Sequence, residues 1–162
     1  MPLGLRWSLH PKERNAVRGL HLGVRVTFCK MCEKAFENEQ GVPEIHGRLV
    51  DSVSVQSFPT PFPPLVLALE LEIAPTESGR PFVLEAILVD EDGRRVLSVK
   101  GERRSEAIER PHPGLWFEAI PIPADLVVKY AGTYRWDILV NGQLLTSERL
   151  IFRLADPKPL VR

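Results

Sequence analysis

Residues 132–154 constrain the fold more than any other stretch, because side-chain alternation and turn chemistry there describe the same β-hairpin. Tyr134, Trp136, Ile138 and Val140 occupy every second position, with Thr133, Arg135 and Asp137 between them. A pleated strand buries the first set and wets the second. Asn141-Gly142 follows, the dipeptide suited to the two positive-φ positions of a type I′ turn. Leu150, Phe152 and Leu154 then resume an apolar face on the return strand.

The same grammar runs upstream. Val24, Val26 and Phe28 alternate over residues 24–30, a first strand, and residues 31–39 read as a short helical or irregular crossing. Residues 45–55 read as a second strand with Leu49, Val53 and Val55 inward and Gly47 at a bulge or close approach. The four prolines of residues 57–64 remove donors and fix φ, which makes that stretch a stiff crossover. Further strands are expected at 65–73, at 82–89 (a nearly continuous apolar run that suits a central position), at 95–100 and at 116–122, where Pro121 marks an edge. With the hairpin this makes seven or eight short strands and no long helix: an all-β, antiparallel β-sandwich with a short helical crossing after the first strand. The domain is expected over residues 23–155, between an N-terminal tail (1–22) and a C-terminal one (156–162).

A chain of 162 residues fits one such domain, which buries about 70% of the surface its unfolded form exposes. Its 21 basic and 21 acidic side chains balance, so the basic face that duplex binding draws on is not expected. The longest apolar run, residues 65–69, stops at Glu70 and is too short to cross a bilayer. Arg6, His10 and Lys12 interrupt the opening segment, unlike a secretory signal. The cytosol is the expected compartment, where two cysteines stay thiols, bind metal or cycle in redox chemistry.

Common phosphate-cradling and nucleophile motifs are absent from the sequence, so the chain is not expected to be an enzyme. Cys29 and Cys32 form a lone C-x-x-C. On one strand the two sulfurs point to opposite faces, and the pair reads as small buried hydrophobes. The alternative follows from strand direction. If every connection alternates between two ends, residues 30–44, 75–80, 101–115 and Asn141-Gly142 share one end, which would gather Cys29, Cys32, His46 and His112 as ligands for zinc. Asp90-Glu-Asp-Gly93 invites a calcium reading, but only Asp125 joins it at its own end, so a solvated turn is preferred. The long connection 101–115 with Arg103, Arg104, His112 and the following Trp116 is the candidate partner-contacting surface, since Arg and Trp are enriched at hot spots. A mobile solvated loop is the competing reading.

Over residues 24–154 the succession of a strand ending in Cys32-Glu33, Gly41, Ile45-His-Gly47, a proline-rich crossover, Asp90-Glu-Asp-Gly93 and Gly132-Thr-Tyr134 through Asn141-Gly142 resembles an uncharacterised bacterial family of small immunoglobulin-like or C2-like β-sandwich proteins. The resemblance implies that fold and a bacterial intracellular setting, carries no catalytic residues, and leaves out the tail before Val24. The expected function is a non-catalytic interaction or assembly module that binds another protein or itself, with no cofactor, nucleic acid or membrane. The alternative is a metal-binding or redox protein using Cys29, Cys32, His46 and His112.

Overall fold

The alternation read from the sequence becomes two packed sheets. The structure, a computed structural model, describes residues 23–106 and 113–158. Its strands are β1 (Val24–Glu37), β2 (Pro43–Val50), β3 (Ser52–Val55), β4 (Thr60–Pro61), β5 (Val66–Ile73), β6 (Pro81–Val89), β7 (Arg95–Arg104), β8 (Gly114–Pro121), β9 (Val127–Val128), β10 (Gly132–Val140) and β11 (Gln143–Leu154). One sheet has the order β2-β1-β5-β8, the other β3-β11-β10-β6-β7, and β4 pairs β9 alone.

The facing surfaces supply a single core. Cys29, Met31, Leu67, Leu69, Leu71 and Ile73 come from the first sheet, and Phe82, Leu84, Ala86, Leu88, Tyr134, Trp136, Ile138, Val140, Leu150 and Phe152 from the second. Trp136 is fully buried, and its indole N–H has no hydrogen-bond partner among the described residues. Asn141 and Gly142 take φ of 50° and 79°, the expected hairpin turn. β6 is central as its composition suggests, lying between β10 and β7. Tyr134, near the start of β10, donates its hydroxyl to the Tyr130 carbonyl four residues upstream at 2.8 Å. That bond is the tyrosine corner of immunoglobulin-type sandwiches, and the order β11-β10-β6-β7 matches their G-F-C-C′ sheet.

Three expectations are corrected. No helix occurs among the described residues: residues 31–37 continue β1, paired with β2 from Met31↔Val50 to Glu37↔Pro43. The expected second strand breaks at Asp51 into β2 and β3, which belong to different sheets, and nine strands rather than seven or eight fill the two sheets. The sandwich is also not wholly antiparallel, because β3 pairs β11 in parallel from Ile151↔Ser52 to Leu154↔Val55.

The break at Asp51 adds a chain reversal, which changes every direction argument that starts from β1. Val24 lies opposite Ile73 and Cys32 opposite Val66, so β1 and β5 run oppositely. The end that holds Asn141-Gly142, where Val83 donates to Asn141, therefore receives the start of β1. The β1–β2 turn lies at the other end.

Candidate functional site

Direction and burial separate the proposed metal ligands. Cys29 lies opposite the core residue Leu69, while Cys32, opposite Val66, points to the other face. Burial, helped by the nearby Glu148 carboxylate and opposed by Lys30, pushes the Cys29 thiol up to about 12. Burial also raises Cys32, whose Sγ lies 3.8 Å from the Val66 carbonyl. Both sulfurs are thus held as neutral thiols, the inert form. His46 lies on β2, 3.0 Å from Glu44 and against the tilted ring of Phe36, with ring centroids 5.0 Å apart. His112 falls outside the described residues, and among those residues no three His, Cys, Asp or Glu side chains gather around a metal position. Cys29, Cys32 and His46 also sit toward the end away from Asn141-Gly142, which overturns the shared-end grouping.

The 90–94 turn uses its own acids. Asp90 accepts from the Asp92 and Arg94 amides at 3.0 and 2.9 Å, and Glu91 takes the Thr133 amide at 2.5 Å.

Arg103 and Trp116 do not form an open partner surface; they close one side of the sandwich. Arg103 lies opposite the core residue Phe82 on β7, and Glu118 opposite Leu69 on β8, so both charges point inward from edge strands. The guanidinium grips the carboxylate from Nε at 2.8 Å and Nη2 at 2.6 Å, and the Trp116 indole N–H adds a bond of 3.3 Å. That bond to Glu118 raises the Arg103 pKa. Phe82 meets the Trp116 ring edge-on at 5.9 Å. Gly101 makes the arrangement possible, since a Cβ there would lie 2.5 Å from the guanidinium. Arg104, on the alternate face, is exposed. An ion pair between Lys30 of β1 and Glu148 of β11 also joins the two sheets. Inward charges on edge strands also oppose edge-to-edge association.

The most projecting element is one the sequence did not single out. β5 begins opposite Cys32, so residues 33–48 run on as a two-stranded arm with no third strand among the described residues. Its tip is ordered by Asn38, whose Oδ1 accepts from the Gln40 and Val42 amides at 2.9 and 3.0 Å, while its amide donates to the Val42 carbonyl at 2.9 Å. Asn38 Nδ2 also donates to Glu44 at 3.0 Å, and that bond, with His46, holds the Glu44 carboxyl below its ordinary value. At the base, Gly47 takes φ of 81°, and a Cβ there would lie 2.0 Å from the Glu33 carboxylate that crosses it. Glu33 in turn accepts from Arg48 at 3.3 Å. Val42 at the tip is 51% exposed.

The family model of DUF6941, a family of unknown function, matches residues 27–153. The chain belongs to that family. No curated protein matches it. Among solved structures, the Pseudomonas fluorescens alkylpurine DNA glycosylase AlkC bound to DNA containing an abasic site analog is similar at 13% identity and a TM-score of 0.46. The similarity covers 81% of this chain and 30% of that one. An immunoglobulin-like protein from Pseudomonas aeruginosa is similar at 14% identity and a TM-score of 0.37, over 83% of this chain and 100% of that one.

The DUF6941 match takes in the whole arm and both inter-sheet ion pairs and begins three residues into β1. Within this DUF6941 chain the arm's local signals were Asn38 and Gly41 spaced for a turn and Gly47 three residues past Glu44. Glu118 carried no signal of its own, because its partner lies 15 residues away on the other sheet.

Proposed function

We propose that this DUF6941 protein is a non-catalytic, cytoplasmic module that presents its β1–β2 arm to another protein. One observation carries the reading. Residues 33–48 are held in a defined two-stranded form although they bury little against the core, and an isolated two-stranded hairpin is marginal in water. The Asn38 bonds, the tilted Phe36–His46 ring contact and the Glu33–Arg48 pair order an element from which the sandwich gains little. An ordered projection of that kind serves a contact outside its own domain.

The protonation chemistry supports a non-catalytic reading. Among the described residues no charged side chain is buried, and the two thiols are pushed toward their inert form. Unpaired buried cysteines suit a reducing compartment.

The test is recovery of the tagged chain from its source cells, comparing wild type with Val42→Lys/Ile45→Lys. A partner recovered in stoichiometric amount with wild type and lost from the folded double variant is expected. Recovery of the wild-type chain alone and monomeric, or of the same partner with both chains, contradicts the reading.

A further inference from the structure

The outward face of the five-stranded sheet carries a row of arginines that its own packing does not call for. The register sets Arg149 of β11 directly opposite Arg135 of β10, Arg135 opposite Val89 of β6, and Val89 opposite Arg95 of β7. Arg153 continues the same face of β11 beside Ser54. Like charges directly opposite on a sheet are destabilising. Only Arg135 is well neutralised, by Asp137 at 2.9 Å; Arg95 reaches Glu85 at 3.8 Å with its side chain 68% exposed. Arg149 is exposed, with no ion-pair or hydrogen-bond partner among the described residues. Between the arginines lies an apolar floor. Ile87 and Val89 alternate with the core residues Ala86 and Leu88 and so face outward, yet they are only 4% and 5% exposed.

We propose that this row is a docking surface for an extended acidic protein segment lying across the strands. The fit is one of charge and spacing. Strands stand about 4.8 Å apart, so Arg149 and Arg95, three strands apart, are separated by about 14 Å. An extended chain rises about 3.4 Å per residue, which brings acidic side chains at positions i and i+4 of such a segment to the same separation. Arginine's planar fork suits carboxylates in that arrangement. A nucleic acid strand suits the face less well: no aromatic side chain of the five-stranded sheet faces outward to stack a base, since Phe82, Tyr134, Trp136 and Phe152 all point into the core. The face is separate from the β1–β2 arm, so the two surfaces can be tested apart.

The experiment titrates the full chain, at low and at moderate salt, into a fluorescein-labelled 12-residue peptide alternating Glu and Ser, and into a 20-nucleotide thymidine oligonucleotide. Saturable peptide binding that weakens with salt is expected, at least fivefold weaker in Arg149→Glu and less than twofold weaker in Lys129→Glu, a matched charge change on an exposed loop. Arg149→Glu should melt no lower than wild type, because it relieves the repulsion with Arg135; that shows a binding loss is not a folding loss. Absence of saturable peptide binding, equal weakening by both substitutions, or tighter binding to the oligonucleotide overturns the proposal. Val42→Lys/Ile45→Lys leaves peptide binding in place, which keeps failure of the arm reading distinct from failure here.

Discussion

The two halves of β1 share one strand and opposite physics. Residues 24–32 lie beside β5 and bury Val24, Cys29, Met31 and Cys32, whereas residues 33–37 have, among the described residues, β2 alone for a neighbour and stay half-buried or exposed. The strand continues past Cys32 through a bulge, between Cys32↔Leu49 and Lys34↔His46. What changes is whether a second sheet stands across from it. The first half is held by apolar burial, the second by a polar turn and pairwise contacts each worth about 1 kcal/mol or less.

Core substitutions should separate the halves most strongly. Trp136→Ala removes the largest fully buried side chain and should lower unfolding free energy by about 3–5 kcal/mol, and Met31→Ala by about 2–5 kcal/mol. In denaturant titration Phe36→Ala should cost about 1 kcal/mol or less. A Phe36→Ala loss as large as that of Met31→Ala would erase the contrast.

Alkaline pH acts on the buried half through Cys29. The Cys29 pKa lies above its ordinary 9.0, at about 12 in the fold, so the unfolded chain releases that proton first. The contribution of Cys29 is fully present below pH 9 and is lost as pH rises toward 12. The wild type should therefore lose stability over that interval more steeply than Cys29→Ala, as followed by thermal melts.

The inter-sheet closure comes next. Glu118→Ala leaves the half-buried Arg103 and the Trp116 indole without their shared acceptor and should cost about 1.5–3 kcal/mol. Tyr134→Phe, which removes the bond to Tyr130, should cost about 0.5–1.5 kcal/mol. Both are measured by chemical denaturation.

Much of the sandwich was legible because its signals are local. Alternation at Tyr134, Trp136, Ile138 and Val140, the Asn141-Gly142 turn and the continuous run of β6 each report burial or backbone conformation at their own position. The misplacements came from non-local facts. Nothing in residues 45–55 distinguishes one eleven-residue strand from two strands parted at Asp51 in different sheets, and that one reversal moved the cysteines to the opposite end from Asn141-Gly142. Arg103 was read as a free surface arginine because its partner Glu118 is set by how the two sheets face each other. Residues 31–39 were read as a crossing, but Met31 and Cys32 still belong to the buried half of β1, and only residues 33–37 lack the apolar face of a core strand.

Hydrogen exchange, read by mass spectrometry on the wild type and Asn38→Ala, tests the division within β1 most directly. Asn38→Ala removes the bonds to the Gln40 and Val42 amides and to Glu44. Protection should fall in peptides covering residues 33–48, while peptides from β5, β6 and β10 exchange as in the wild type. Loss of protection across the core strands as well, or unchanged protection in the arm, would contradict the account of the arm as a locally ordered unit apart from the sandwich.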